Sequence, residues 1–140
     1  MREILFRGKH IDNGEWVEGK GVDLNFSDAF ILVGWRDESV GACELDEVEV
    51  DRKSVGEYTG LTDKNGKRIF EGDIVKREFT LWHGETKKTR ETQIGVVVYS
   101  NRECGFQVEK KCNLRKPWDG DTIEVIGNIH DNPEMLEGEK

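Results

Sequence analysis

Three cysteines, three histidines and a surplus of acids are the residues of this chain with chemical reach. A zinc site needs about four Cys or His ligands, with cysteine pairs commonly about two to four residues apart. Cys43, Cys104 and Cys112 lack that spacing, and His10, His83 and His130 are scattered along the chain. No metal is expected. General acid–base hydrolysis requires a titrating group beside the reacting atom, and Glu71 or Asp73 with His83 or His130 is the pairing on offer. The triplet Glu71-Gly72-Asp73 also fits a chain reversal whose Asp side chain accepts a backbone N–H, and that is the expectation. Gly56, Gly60, Gly66 and Gly72 match neither nucleotide-binding spacing and no Lys-Ser or Lys-Thr pair follows them. They are expected in turns rather than in a phosphate cradle. The chain therefore offers no catalytic residue and asks for no cofactor, and it is expected not to be an enzyme.

Binding is better served. Trp82 precedes the basic run Lys87-Lys88-Thr89-Arg90, and Trp118 follows Arg115-Lys116. A ring beside cations is what a single-strand nucleic-acid binder uses, and an exposed ring equally anchors a protein partner. The candidate contact set is Trp82, Lys87, Lys88, Arg90, Arg115, Lys116 and Trp118. Two considerations oppose it. Tryptophans, Trp16 and Trp35 included, supply much of the burial of a small β domain, and short basic runs are ordinary solvated loops. The net charge of −8, from 21 basic and 29 acidic side chains, repels a phosphate backbone. A protein partner or self-association is expected ahead of nucleic acid.

The elements that would position these residues read as strands. At 140 residues with 35% hydrophobic and 36% charged content, the chain suits one domain whose apolar residues fall in short clusters. Glu3 to Gly8 alternates, Asp12-Asn13-Gly14 reverses the chain, and Trp16-Val17 returns, which makes a hairpin. Ala29 to Val33 is a short β-branched and aromatic run, expected as a buried strand. Trp35 to Gly41 is expected as a loop and Glu44 to Val50 as a strand. Residues 51–56 form a connector with a helical turn. Around Val55 to Lys76 the chain reverses at Asp63-Lys64-Asn65-Gly66 and again at Glu71-Gly72-Asp73, with Ile69-Phe70 between. Ile74 to Trp82 is a half-exposed strand. Residues 84–93 contain no large apolar side chain, and are expected as a long hairpin loop or an exposed strand extension. Val96-Val97-Val98 marks a central strand, Phe106 to Val108 the next, and Thr122 to Ile129 the last. Asn132-Pro133-Glu134 starts a single helical turn with Asn132 as its cap. The division expected is an N-terminal strand region at 1–50, a β core at 51–136 and a polar tail at 137–140.

No run approaches the roughly 18 apolar residues of a membrane span, and Met1 to Arg7 lacks the apolar core of a signal peptide. A cytoplasmic location with reduced, mostly buried thiols is expected.

Three blocks carry a resemblance: Met1 to Arg7; Tyr58-Thr59-Gly60-Leu61 with Asp63 to Lys67 and Phe70 to Val75; and Val125-Ile126-Gly127-Asn128-Ile129-His130-Asp131-Asn132-Pro133. With them the sequence resembles the YopX-like family of phage and prophage proteins. That resemblance implies a mainly β protein with a small SH3-type barrel core, an N-terminal hairpin extension and a short C-terminal helical turn. It supplies no catalytic residue. The chain departs from the family pattern at Gly8-Lys9 and in the polar segment 84–93.

Overall fold

The computed structural model describes residues 3–37, 39–102, 104–109 and 123–137. The chain is mainly β and divides into two units, Met1–Gly60 and Leu61–Lys140.

In the first unit β1 (Phe6–Lys9) and β2 (Trp16–Gly19) form the expected hairpin, with Phe6 opposite Gly19 and Lys9 opposite Trp16. The turn between them closes through His10 N–H to the Glu15 carbonyl at 2.7 Å and Gly14 N–H to the His10 carbonyl at 2.9 Å. Strands β3 (Gly21–Leu24), β4 (Ala29–Asp37) and β5 (Ala42–Val50) make a second antiparallel sheet in that order. The loop expected over Trp35 to Gly41 is thereby corrected: β4 runs on to Asp37, with Arg36 opposite Cys43. An antiparallel ladder continues until a residue must turn, and here that residue is Gly41 at φ +65°. Ala29, Ile31 and Val50 are buried under Phe6, Val17, Val22, Val33 and Val55. Full burial of Ile31 alone is worth about 1.5–3 kcal/mol. A 3₁₀ turn at Arg52–Ser54 follows, capped by the Asp51 side chain accepting Lys53 N–H at 3.1 Å. Ser54 Oγ accepts Lys9 N–H at 2.7 Å, which fixes the turn against β1. Strand β6 (Gly56–Thr62) then pairs with β1, Arg7 facing Gly56. Gly56 and Gly60 are therefore strand residues, not the turn glycines expected.

In the second unit the chain reverses over Asp63–Lys67 into β7 (Arg68–Phe70) and over Glu71–Gly72 into β8 (Asp73–His83). Strands β9 (Lys87–Ser100), β10 (Gly105–Glu109) and β11 (Ile123–Asn128) complete an antiparallel sheet of order β10-β9-β8-β11. The valine-rich strand is internal as expected, with Val97 fully buried among Ile69, Val75 and Ile123. Of the two forms expected for residues 84–93, the strand extension is the one adopted: Gly84 turns at φ +74° and β9 begins at Lys87. β11 bulges between Val125 and Gly127, where a Cβ on Gly127 would meet Asn132 Oδ1 at 2.7 Å and Met135 Sδ at 3.0 Å. Helix α1 (Glu134–Glu137) is the expected single turn. The Asn132 side chain, however, accepts Asn128 N–H at 3.4 Å, so it ties the helix back to β11.

Among the described residues each sheet ends in two edges, and the SH3-type closure implied by the resemblance is not formed by them. No described helix is long and apolar enough to cross a membrane.

Candidate functional site

Of the residues expected to make contact, Trp82, Lys87, Lys88 and Arg90 lie where β8 and β9 extend past the described residues of their neighbours. Among the described residues, β11 pairs with β8 as far as Arg77, and β10 pairs with β9 as far as Val96. Beyond those points Glu78–His83 and Lys87–Gln93 pair only with each other among the described residues. The result is a two-stranded arm whose apolar residues are few, so backbone hydrogen bonds and polar cross-strand pairs hold it.

Register decides which candidates meet. Trp82 lies opposite Lys88 and Thr80 opposite Arg90, with Glu78 opposite Thr92. Because side chains alternate, these residues share one face. On it the Lys88 ammonium sits 5.6 Å from the Trp82 ring centre, within cation–π range. Arg90 reaches diagonally to Glu78 at 2.8 Å. That hydrogen bond, and then the Arg90 charge, hold the Glu78 carboxyl below the usual range. Charges then alternate toward the sheet: Lys76 to Glu78 at 3.9 Å, Lys76 to Glu124 at 3.8 Å, and Lys64 to Glu124 at 3.6 Å. Lys87 is separated from this set. It pairs with His83 on the opposite face, where His83 Nε2 lies 3.0 Å from Thr89 Oγ1.

Trp82 is 61% exposed and Leu81 43%. Core burial, expected of the tryptophans in general, is thus corrected for Trp82. Trp16 is half-buried, stacked under the Arg7 guanidinium at 4.4 Å. Arg115, Lys116 and Trp118 lie outside the described residues. So does the Trp35 side chain, whose residue is placed in β4.

The hydrolytic candidates are committed elsewhere. Asp73 is 1% exposed and its Oδ2 accepts Phe70 N–H at 2.8 Å, the turn role expected for it. His130 packs against Gly72, whose added Cβ would lie 3.5 Å from Nε2. Among the described residues no group of three or more His, Cys, Asp or Glu side chains is gathered as a metal site. The thiol of Cys104 is exposed at a turn, with φ +53°, and this corrects the expectation of burial for that cysteine.

Sequence reasoning missed Asp63 as an organiser. Its Oδ1 accepts Asn65 N–H and Lys67 N–H, each at 2.9 Å, while Oδ2 accepts Val125 N–H at 3.0 Å. Burial alone would raise its pKa, but the three backbone donors and the Lys67 charge bring it below the usual value. The Asp-x-Asn-Gly pattern signals the local turn; nothing in it announces a partner 62 residues away.

Residues 5–137 match the family model described as YopX protein. The fold is similar to the crystal structure of protein EF1440 from Enterococcus faecalis, with a TM-score of 0.54 and 24% sequence identity over 97% of this chain and 99% of that one. At that identity the likeness speaks for the fold alone. No curated protein matches the chain.

Proposed function

The chain belongs to the YopX family, and on that premise we propose that it is a non-enzymatic phage or prophage interaction module that docks a protein partner through the β8–β9 arm. The observation that carries this reading is Trp82, 61% exposed near the end of a ribbon with open edges among the described residues. Exposed tryptophan is the side chain most often found dominating a protein interface, and an open strand edge adds main-chain hydrogen bonds to whatever extended segment lies against it. The non-enzymatic half of the reading is supported by Asp63 and Asp73, two buried acids whose oxygens accept backbone N–H groups.

A second reading, single-stranded nucleic acid, is favoured by Lys88 lying over Trp82 on one face. It is opposed by the net charge of −8.

Trp82→Ala tests the first reading. A partner captured by the wild-type chain from host cells should bind the variant more weakly by about 2 kcal/mol or more, roughly thirtyfold. The unfolding midpoint should stay close to wild type, because little of the ring is buried. Identical capture by both proteins would remove the arm from the interface. Salt-sensitive binding of a single-stranded oligonucleotide, lost in Lys88→Glu, would transfer the site to the second reading.

A further inference from the structure

Charge is divided unevenly between the two units. Residues 1–60 hold seven Lys and Arg against fourteen Asp and Glu, a net −7, whereas residues 61–140 hold fourteen against fifteen, a net −1. Within the first unit the acids concentrate on β5, at Glu44, Asp46, Glu47 and Glu49. β5 is the outer strand of its sheet. Among the described residues its far edge meets the chain only near its end, where His10 bridges Val50 and Ile11 N–H donates to the Glu49 carbonyl at 3.2 Å. From Ala42 to Val48 no described strand pairs on that side.

Such an edge is a template for one more strand, and its charge selects which. Two β5 edges repel each other. A basic strand is what they admit.

Resting on the interaction role proposed above, we infer that the occupant is the β9 side of the arm from a second copy of this chain. Laid antiparallel, a single register sets Lys88 opposite Asp46, Arg90 opposite Glu44 and Lys87 opposite Glu47, with Thr89 opposite Leu45. All three bases of the run meet an acid there. Shifting the register by two residues loses one pair in one direction, with Lys88 opposite Val48, and two in the other, with Lys87 opposite Leu45 and Arg90 opposite Ala42. The match spans both faces, since Lys88 and Arg90 lie on one side of the arm and Lys87 on the other. Arg90 is available to it, because its side chain remains 78% exposed while bonded to Glu78. Leu45, 63% exposed, gains cover from the added strand. The contact joins unlike surfaces, so every copy offers one arm and one edge, and association proceeds as a ring or an open chain.

Sedimentation velocity on the full chain tests this. Wild type should form heavier species as concentration rises, and these should dissociate in about 1 M salt, where screening shortens to ~3 Å. Lys87→Glu with Lys88→Glu and Arg90→Glu should weaken association at least tenfold, and so should Asp46→Lys with Glu47→Lys. Each variant alone should sediment as a single chain with a wild-type circular dichroism spectrum. An equimolar mixture should recover the heavier species, because each variant keeps the surface the other has lost; that recovery excludes misfolding as the cause. A wild type that stays monomeric at its highest soluble concentration overturns the self-pairing. So does association that survives both reversals, or a mixture that fails to recover it. A monomeric wild type whose capture of another protein still depends on Trp82 would overturn the self-pairing and leave the arm's interaction role standing.

Discussion

Replacing Asp63 with alanine is expected to lower the stability of the protein by about 2–4 kcal/mol, read as a shift of the urea midpoint at neutral pH. Asp63 is 4% exposed and its carboxylate accepts three backbone N–H groups, from Asn65, Lys67 and Val125. Hydrogen bonds to a charged acceptor are each worth about 1.5–3 kcal/mol, and a donor left buried without one costs about 1–3 kcal/mol. The sum is not reached, because Asn65 and Lys67 lie in an exposed turn where water replaces the lost acceptor. Val125 is in the half-buried strand β11, so its N–H has less access to water. There the bond also joins the turn to β11, alongside Lys64 N–H to the Ile123 carbonyl at 3.0 Å. A loss of less than about 1 kcal/mol would mean that the turn and β11 hold together without the carboxylate.

The same contacts fix a pH dependence. Asp63 has a folded pKa below its ordinary value, so its contribution is fully present above the unfolded value and is lost as pH falls through the folded one. Wild-type stability should therefore decline through the acid range, and the decline should be shallower in Asp63→Ala, which has no carboxylate left to protonate. Parallel pH profiles for the two proteins would show that other acids dominate acid unfolding. Glu78 is displaced in the same direction by Arg90, but it is exposed and contributes little to that slope.

What the sequence made legible was local. Asn65-Gly66 and Glu71-Gly72-Asp73 announce their turns because the required positive φ, +81° at Gly66 and +91° at Gly72, is chemically encoded in the residue type. Val96 to Val98 announces an internal strand because branched side chains without polar neighbours need cover. The arm was half-legible. Residues 84–93 carry no apolar alternation, so a loop and an extended ribbon have the same composition, and only the ladder from Thr92 to Lys87 against Glu78 to His83 distinguishes them. Register likewise separated Lys87 from Lys88, neighbours in sequence that face opposite sides. Contacts between distant residues, Asp63 with Val125 above all, leave no mark on either stretch alone. For the same reason a glycine that turns the chain and one that lets two strands approach look identical, as Gly66 and Gly19 show.

Gly19→Ala is the second large effect, and it tests close approach rather than backbone freedom. Gly19 is buried at the end of β2, and a Cβ there would collide with the Leu32 carbonyl oxygen and lie 2.7 Å from Ile31 Cγ2. A side chain can change rotamer to make room; a carbonyl in the middle of β4 moves only with its strand. Ile31 is fully buried beside Ala29 and Val50, so displacing β4 disturbs the centre of the first unit's core. Overpacking of this kind costs about 1–3 kcal/mol or more, and backbone contact puts the expectation at the upper end. Gly14→Ala is the matched contrast. Its Cβ would meet nothing within 4 Å, but the residue sits at φ +70°, so the cost is the conformational one of about 1 kcal/mol. Urea midpoints should place Gly19→Ala well below Gly14→Ala, with Lys20→Ala, an exposed neighbour, within about 0.5 kcal/mol of wild type. If the two glycine variants were equally destabilised, β2 and β4 would not be in the close contact that leaves no space for a methyl group at position 19.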